Sequence, residues 1–250
     1  MGGVRFRARV EYDGTDFLGF QVQAQGRTVQ GELERAIQAV TGHRIRVTAA
    51  GRTDRGVHAQ GQVIAFEVPW RHSLADLHRA LNATLAEDVA LCSLEEAAED
   101  FHPRFSALSR VYRYTLLNRP VRSPLHRRRA WQVWPRLDRA RMAEASRYLV
   151  GEHDFATFGR PPQGENTVRR VLRAGWEEAA PFLHFEIEAN AFLYRMVRTI
   201  VGALVQVGWG QISPGEFAAL LPARDRSLIK LVAPPQGLCL MQVNYKELDK

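Results

Sequence analysis

The segment Gly51-Arg-Thr-Asp-Arg-Gly-Val-His-Ala-Gln-Gly61 carries the residues best suited to chemistry. Asp54 stands between Arg52 and Arg55, and positive charge within a few ångströms stabilises a carboxylate and lowers its pKa. An ionised carboxylate in a basic, partly buried site can act as a nucleophile or a base toward an electron-poor carbon. On extended backbone, Arg52 and Asp54 at i and i+2 project to one side. Composition alone favours a plainer reading, a surface turn held by an Asp–Arg ion pair. His58 in the same segment is open to three readings: a general base, a loop-ordering residue, or a substrate contact.

Two strand-like runs, Arg44–Ala50 and Gln62–Val68, flank this polar, glycine-punctuated loop, so a sheet would hold it. Before them, Val4–Tyr12 reads as a strand and Thr28–Val40 as a helix. Thr28 is placed to cap that helix, and Val29, Leu33, Ala36, Ile37 and Val40 fall on one face. After them, Ser73 with Asp76 resembles a capping box opening a helix striped by Leu74, Leu77, Leu81 and Leu85, and Val89–Leu94 reads as a strand. The order β-α-β-β-α-β is the split βαβ pattern of ferredoxin-like folds.

The second half repeats that order loosely. Ser109–Asn118, Val168–Trp176, Phe182–Ala189 and Gly237–Asn244 read as strands, and Asp138–Val150 as a helix ending at Gly151. Asn190 is expected to cap a long helix reaching about Val207, with Arg195 and Arg198 three apart on one face and Leu193, Val197, Ile200, Leu204 and Val207 on another. Ser213-Pro-Gly-Glu216 combines a capping box with proline at the first helical position. The fold class expected is α+β: two ferredoxin-like modules, residues 1–105 and 106–250, with antiparallel sheets that are separate or joined.

Charge points to a polyanionic partner. The 250 residues hold 34 basic against 27 acidic side chains, a formal net charge of +7. From Phe101 to Arg147 there are 12 arginines and only two acids, Asp138 and Glu144, a net of +10 for this segment. Guanidinium groups fork onto phosphate oxygens and stack on bases, so the cluster suits RNA. Arg127-Arg-Arg129, followed by Trp131 and Trp134, is its densest part, although both tryptophans are equally suited to a core. Cys92 and Cys239 form no CxxC, and the eight histidines show neither H-E-x-x-H nor zinc-finger spacing. These features favour an intracellular protein without a bound metal. No run of about 18 uncharged apolar residues is present for a membrane span.

Five motifs in order resemble the tRNA pseudouridine synthase A family over nearly the whole chain. They are Glu11-Tyr-Asp-Gly-Thr-Asp-Phe-Leu-Gly-Phe-Gln21, Gly51-Arg-Thr-Asp-Arg-Gly-Val-His58, Phe101-His-Pro-Arg-Phe-Ser-Ala107, Tyr112-Arg-Tyr114, and Ala189-Asn-Ala-Phe-Leu-Tyr-Arg-Met-Val-Arg-Thr-Ile-Val-Gly202. The resemblance implies a cytoplasmic, cofactor-free isomerase with two ferredoxin-like halves around a basic cleft. It would act as a homodimer that grips the anticodon arm of tRNA and converts uridine to pseudouridine at positions 38, 39 and 40. By the same resemblance, Asp54 is the catalytic nucleophile, Arg52 helps hold the flipped base out, Tyr112 contacts the substrate, and Arg198 pairs with the Asp54 carboxylate. Three positions depart from the family pattern: Arg55 replaces a small residue, Phe20 a tryptophan and Pro103 an alanine. Arg55 is assigned no role. A non-catalytic RNA-binding module and a glycosidase releasing free uracil are the competing functions. An Asp among arginines, which would repel phosphates, already disfavours a pure binder.

Overall fold

The computed structural model describes residues 3–246. Its fold is mixed α+β with mostly antiparallel strands, and five α-helices lie among the described residues. None of these helices is long and apolar enough to cross a membrane. The chain forms two compact units, one running through Leu108 and resuming at Leu240, the other spanning Ser109–Cys239.

In the first unit, strand β1 (Val4–Tyr12) is followed by helix α1 (Val29–Thr41), a short strand β2 (Thr48–Ala49), strand β3 (His58–Val68), helix α2 (Leu74–Thr84) and strand β4 (Val89–Glu96). The sheet order is β4-β1-β3, with β2 also on β3, all antiparallel. Phe6, Ala8, Val10 and Tyr12 are buried while the alternate residues of β1 are more open, the period of two that a one-sided sheet requires. Leu33, Ala36 and Ile37 of α1 and Leu77 and Leu81 of α2 complete this core. Thr28 caps α1 by accepting from the Gly31 N–H at 3.3 Å. Ser73 caps α2 by accepting from the Asp76 N–H at 3.1 Å.

Two boundaries differ from the expectation. The strand expected over Arg44–Ala50 shrinks to two residues, because α1 side chains take up the preceding backbone groups. Glu34 accepts from the Val47 N–H at 3.0 Å, and the Gln30 amide donates to the Val47 carbonyl at 3.2 Å. Conversely, β3 begins four residues early, so His58 lies in a strand and the flanked loop ends at Val57.

The second unit holds strand β5 (Ala107–Asn118, from Ser109 onward), strand β6 (Trp131–Val133), helix α3 (Arg139–Arg147) and strand β7 (Gly151–Asp154). It continues with strands β8 (Val168–Ala179) and β9 (Phe182–Ala189) and helices α4 (Met196–Gly208) and α5 (Pro214–Ala223). Its sheet runs β5-β9-β8-β7 antiparallel, with β6 parallel to β5. The capping box at Ser213 and Glu216 is present. Helix α4 is buried on almost every side, from Met196 and Val197 through Ile200, Val201, Leu204 and Val207, the pattern of a core helix rather than a surface one.

Asn190 does not cap that helix. Its backbone and side chain both bond Arg170 on β8, at 3.1 and 3.0 Å, so it fastens the end of β9 instead. The helix starts six residues later, after Arg195 in a left-handed conformation (φ 63°). Arg195 is therefore outside the helix, its guanidinium 5.0 Å from the Tyr194 ring centre, and the expected Arg195–Arg198 face does not form.

The closing strand β10 (Leu238–Tyr245) lies next to β3, and from Leu240 it belongs to the first unit. The sequence had assigned it to the second module. Tyr245 shows why: its hydroxyl donates to the Pro103 carbonyl at 2.8 Å and its ring lies 5.3 Å from that of Phe101.

Candidate active site

The loop from Gly51 to Val57 is fastened at several points to the first unit's core. At its start the Gln62 amide, fully buried on β3, donates to the Gly51 carbonyl at 2.8 Å. In the middle, the Thr53 hydroxyl lies 2.8 Å from the Tyr12 hydroxyl at the end of β1, and the Thr53 carbonyl accepts from the Phe20 N–H at 3.0 Å. The Asp54 carbonyl accepts from the Val57 N–H at 3.1 Å, which closes a tight turn. At its far end the loop touches Gly14, where an added Cβ would stand 2.0 Å from the Val57 carbonyl oxygen. Only a residue without a side chain permits that approach.

Burial alternates along the loop: Arg52 is exposed, Thr53 buried and Asp54 half-buried, with Arg55 exposed. The turn is held by backbone and hydroxyl bonds at Gly51, Thr53 and Asp54. His58 is only 4% exposed. Its Nδ1 accepts from the Gly14 N–H at 3.0 Å and lies 3.1 Å from Asp13 Oδ1. Of the three readings open for His58, these contacts fit loop ordering.

Two more of the expected residues lie in the second unit. Tyr112 and Tyr114 point to one face of β5, two residues apart. Tyr112 meets Phe192 edge-on, with ring centres 5.0 Å apart. Tyr114 is fully buried, donates to the Pro234 carbonyl at 2.7 Å, and meets Trp131 edge-on. Burial holds its phenol well above the usual tyrosine range, and the nearby Arg198 guanidinium pulls weakly the other way.

Arg198, half-buried on the first turn of α4, is tied to the segment ahead of β10. Its Nε donates to the Ala233 carbonyl at 2.8 Å, and its own carbonyl accepts from the Ala233 N–H at 3.0 Å. Gly202 makes this approach possible, since a Cβ there would stand 2.1 Å from the Leu231 carbonyl oxygen.

The sequence thus located the loop and its flanking strands. It missed Thr53, Gln62 and Phe192, and it gave Tyr12 no role within its motif. Tyr12 carried a faint signal, an aromatic with a polar tip closing an alternating strand. Gln62 carried none.

Members of the arginine-rich segment differ in exposure. Arg113 reaches Glu186 at 2.7 Å and Arg139 pairs with Glu178, whereas Arg122, Arg127, Arg128, Arg129, Arg136 and Arg147 are exposed. Trp131 is half-buried against Tyr114, and Trp134 is 53% exposed.

Comparison with known proteins agrees with this picture. The family model described as tRNA pseudouridine synthase matches residues 8–106 and 145–246. A tRNA pseudouridine synthase A of Roseiflexus sp. (strain RS-1) is 47% identical over 245 residues, covering 96% of this chain and 90% of that protein. The protein of that name from Geobacter sp. (strain M21) is 43% identical over 240 residues, covering 95% of this chain and 97% of its own. The one from Listeria innocua is 40% identical over 246 residues, covering 97% and 99%. With the family model spanning most of the chain and relatives matching over nearly their whole length, the chain belongs to the tRNA pseudouridine synthase family and is an isomerase.

Proposed function

We propose that this isomerase converts uridine to pseudouridine at positions 38, 39 and 40 of the tRNA anticodon stem-loop, in the cytoplasm, as a homodimer and without a cofactor. In that reaction the bond from C1′ to N1 breaks, the uracil turns, and C1′ bonds to C5. The C5 proton is lost and N1 gains one, so composition is unchanged. Asp54 supplies the carboxylate on which glycosidic cleavage depends, acting at C1′, at the base, or as a base toward a glycal.

Arg52 holds the target nucleotide out of the stack, offsetting part of the few kcal/mol that extrusion costs. Tyr112 presents its ring and hydroxyl to the extruded uracil, and Arg198 pairs with the Asp54 carboxylate. The exposed arginines between Phe101 and Arg147 line a basic cleft and grip phosphates. Both units are ferredoxin-like modules, a reading supported by the β4-β1-β3-β2 strand order of the first.

One observation carries the proposal: a half-buried carboxylate on a loop fastened by buried bonds, in a chain of this family. The test is nucleoside analysis of tRNA incubated with the protein alone. Wild type should yield pseudouridine, while Asp54→Ala should yield none and still bind tRNA. Turnover by Asp54→Ala, or release of free uracil by wild type, would overturn the assignment.

A further inference from the structure

We infer that Tyr12 and Thr53 form a positioning pair that aims the Asp54 carboxylate; the inference rests on the function proposed for Asp54. Thr53 immediately precedes Asp54 and is buried where Asp54 is half-buried, its hydroxyl meeting that of Tyr12 at 2.8 Å. Tyr12 is 2% exposed and its ring lies 6.3 Å from that of Phe20. Phe20 also supplies the N–H that holds the Thr53 carbonyl. One residue is therefore gripped through both its hydroxyl and its carbonyl.

The two grips act on different freedoms. The backbone bonds at Gly51, Thr53 and Asp54 fix the path of the loop. They leave rotation about that path, the motion that would swing neighbouring side chains in opposite senses. The hydroxyl pair opposes that rotation. A reacting group displaced by about 1 Å can lose on the order of 100-fold in rate, so a modest roll of this loop reaches the chemistry. Neither hydroxyl touches substrate in this scheme.

The test compares Tyr12→Phe, Thr53→Val, the double variant and Thr53→Ser in single-turnover pseudouridine formation on tRNA, alongside tRNA affinity and thermal unfolding. Each of the two single substitutions should slow the step roughly 10- to 100-fold with affinity within about twofold. The double variant should be no slower than the slower single, because the hydroxyls act as one unit. Thr53→Ser keeps the hydroxyl and should restore most of the rate.

Wild-type rates in both singles would overturn the inference. So would a double variant whose loss is the product of the singles, or losses shared by Thr53→Ser, which would mark a purely structural role. If wild type itself makes no pseudouridine, the proposed function fails instead, and the two failures are distinguishable.

Discussion

Gly202→Ala sets two opposing effects against each other in the middle of α4. Helix propensity favours alanine over glycine by about 1 kcal/mol, so on intrinsic grounds the substitution stabilises. Packing says the reverse. The new Cβ would stand 2.1 Å from the Leu231 carbonyl oxygen and 3.3 Å from the Ala233 nitrogen, both backbone atoms. Ordinary contact requires a retreat of roughly 1 Å, and overpacking a tight interior costs about 1–3 kcal/mol. That retreat of about 1 Å also draws Ala233 from Arg198 and breaks the paired bonds at 2.8 and 3.0 Å, each contributing about 1 kcal/mol. With the propensity gain set against these losses, the net is a destabilisation of about 2–4 kcal/mol. For a chain of this size that lowers Tm by roughly 4–16 °C. Calorimetric or circular-dichroism melting measures it directly. An unchanged or raised Tm would refute both the close approach at Gly202 and the tether proposed to hold Arg198.

Two further predictions follow from the same geometry. Because burial raises the folded-state pKa of Tyr114 above its ordinary value of 10, the unfolded chain ionises first and binds fewer protons. Tyr114 should therefore cost stability as pH climbs past about 10, approaching roughly 1.4 kcal/mol per pH unit until the folded phenol also ionises. Denaturant unfolding of wild type and Tyr114→Phe across pH 8–11 should show curves converging at high pH, and parallel curves would sink the argument. Replacing Arg127, Arg128 and Arg129 by Gln should weaken tRNA binding and flatten its salt dependence by roughly 0.7–0.9 in log–log slope per lost phosphate contact. Filter binding from 50 to 300 mM salt measures this, and an unchanged slope would place those arginines away from the RNA.

The elements most legible in the sequence were those with a strong period and a local signal at the end. β1 and β9 match their expected spans residue for residue, since each alternates cleanly over its length. The caps at Thr28, Ser73 and Ser213 each have an oxygen-bearing side chain ahead of a helix. What escaped depended on partners distant in sequence. Asn190 has the residue type of a cap, but Arg170, twenty positions earlier, claims its side chain. β2 is short because Gln30 and Glu34 on α1 compete for the backbone at Val47. The loop around Asp54 stood out by composition, yet its scaffold did not. Tyr12 and Gln62 are held by bonds that span 41 and 11 positions, and no local pattern announces them.

The path of the chain bears on how the molecule is made. It leaves the first unit after Leu108 and comes back at Leu240, so the strand beside β3 is the last of the described strands to be synthesised. While the intervening residues emerge from a ribosome, the sheet beneath Asp54 has an open edge next to β3 that awaits its neighbour. A premature stop anywhere before Leu240 would remove that strand from a unit whose other elements were finished long before. The nascent chain therefore gains a complete platform for Asp54 only once the residues from Leu240 onward have been made, and products truncated before them should be inert even though their Asp54 loop is intact.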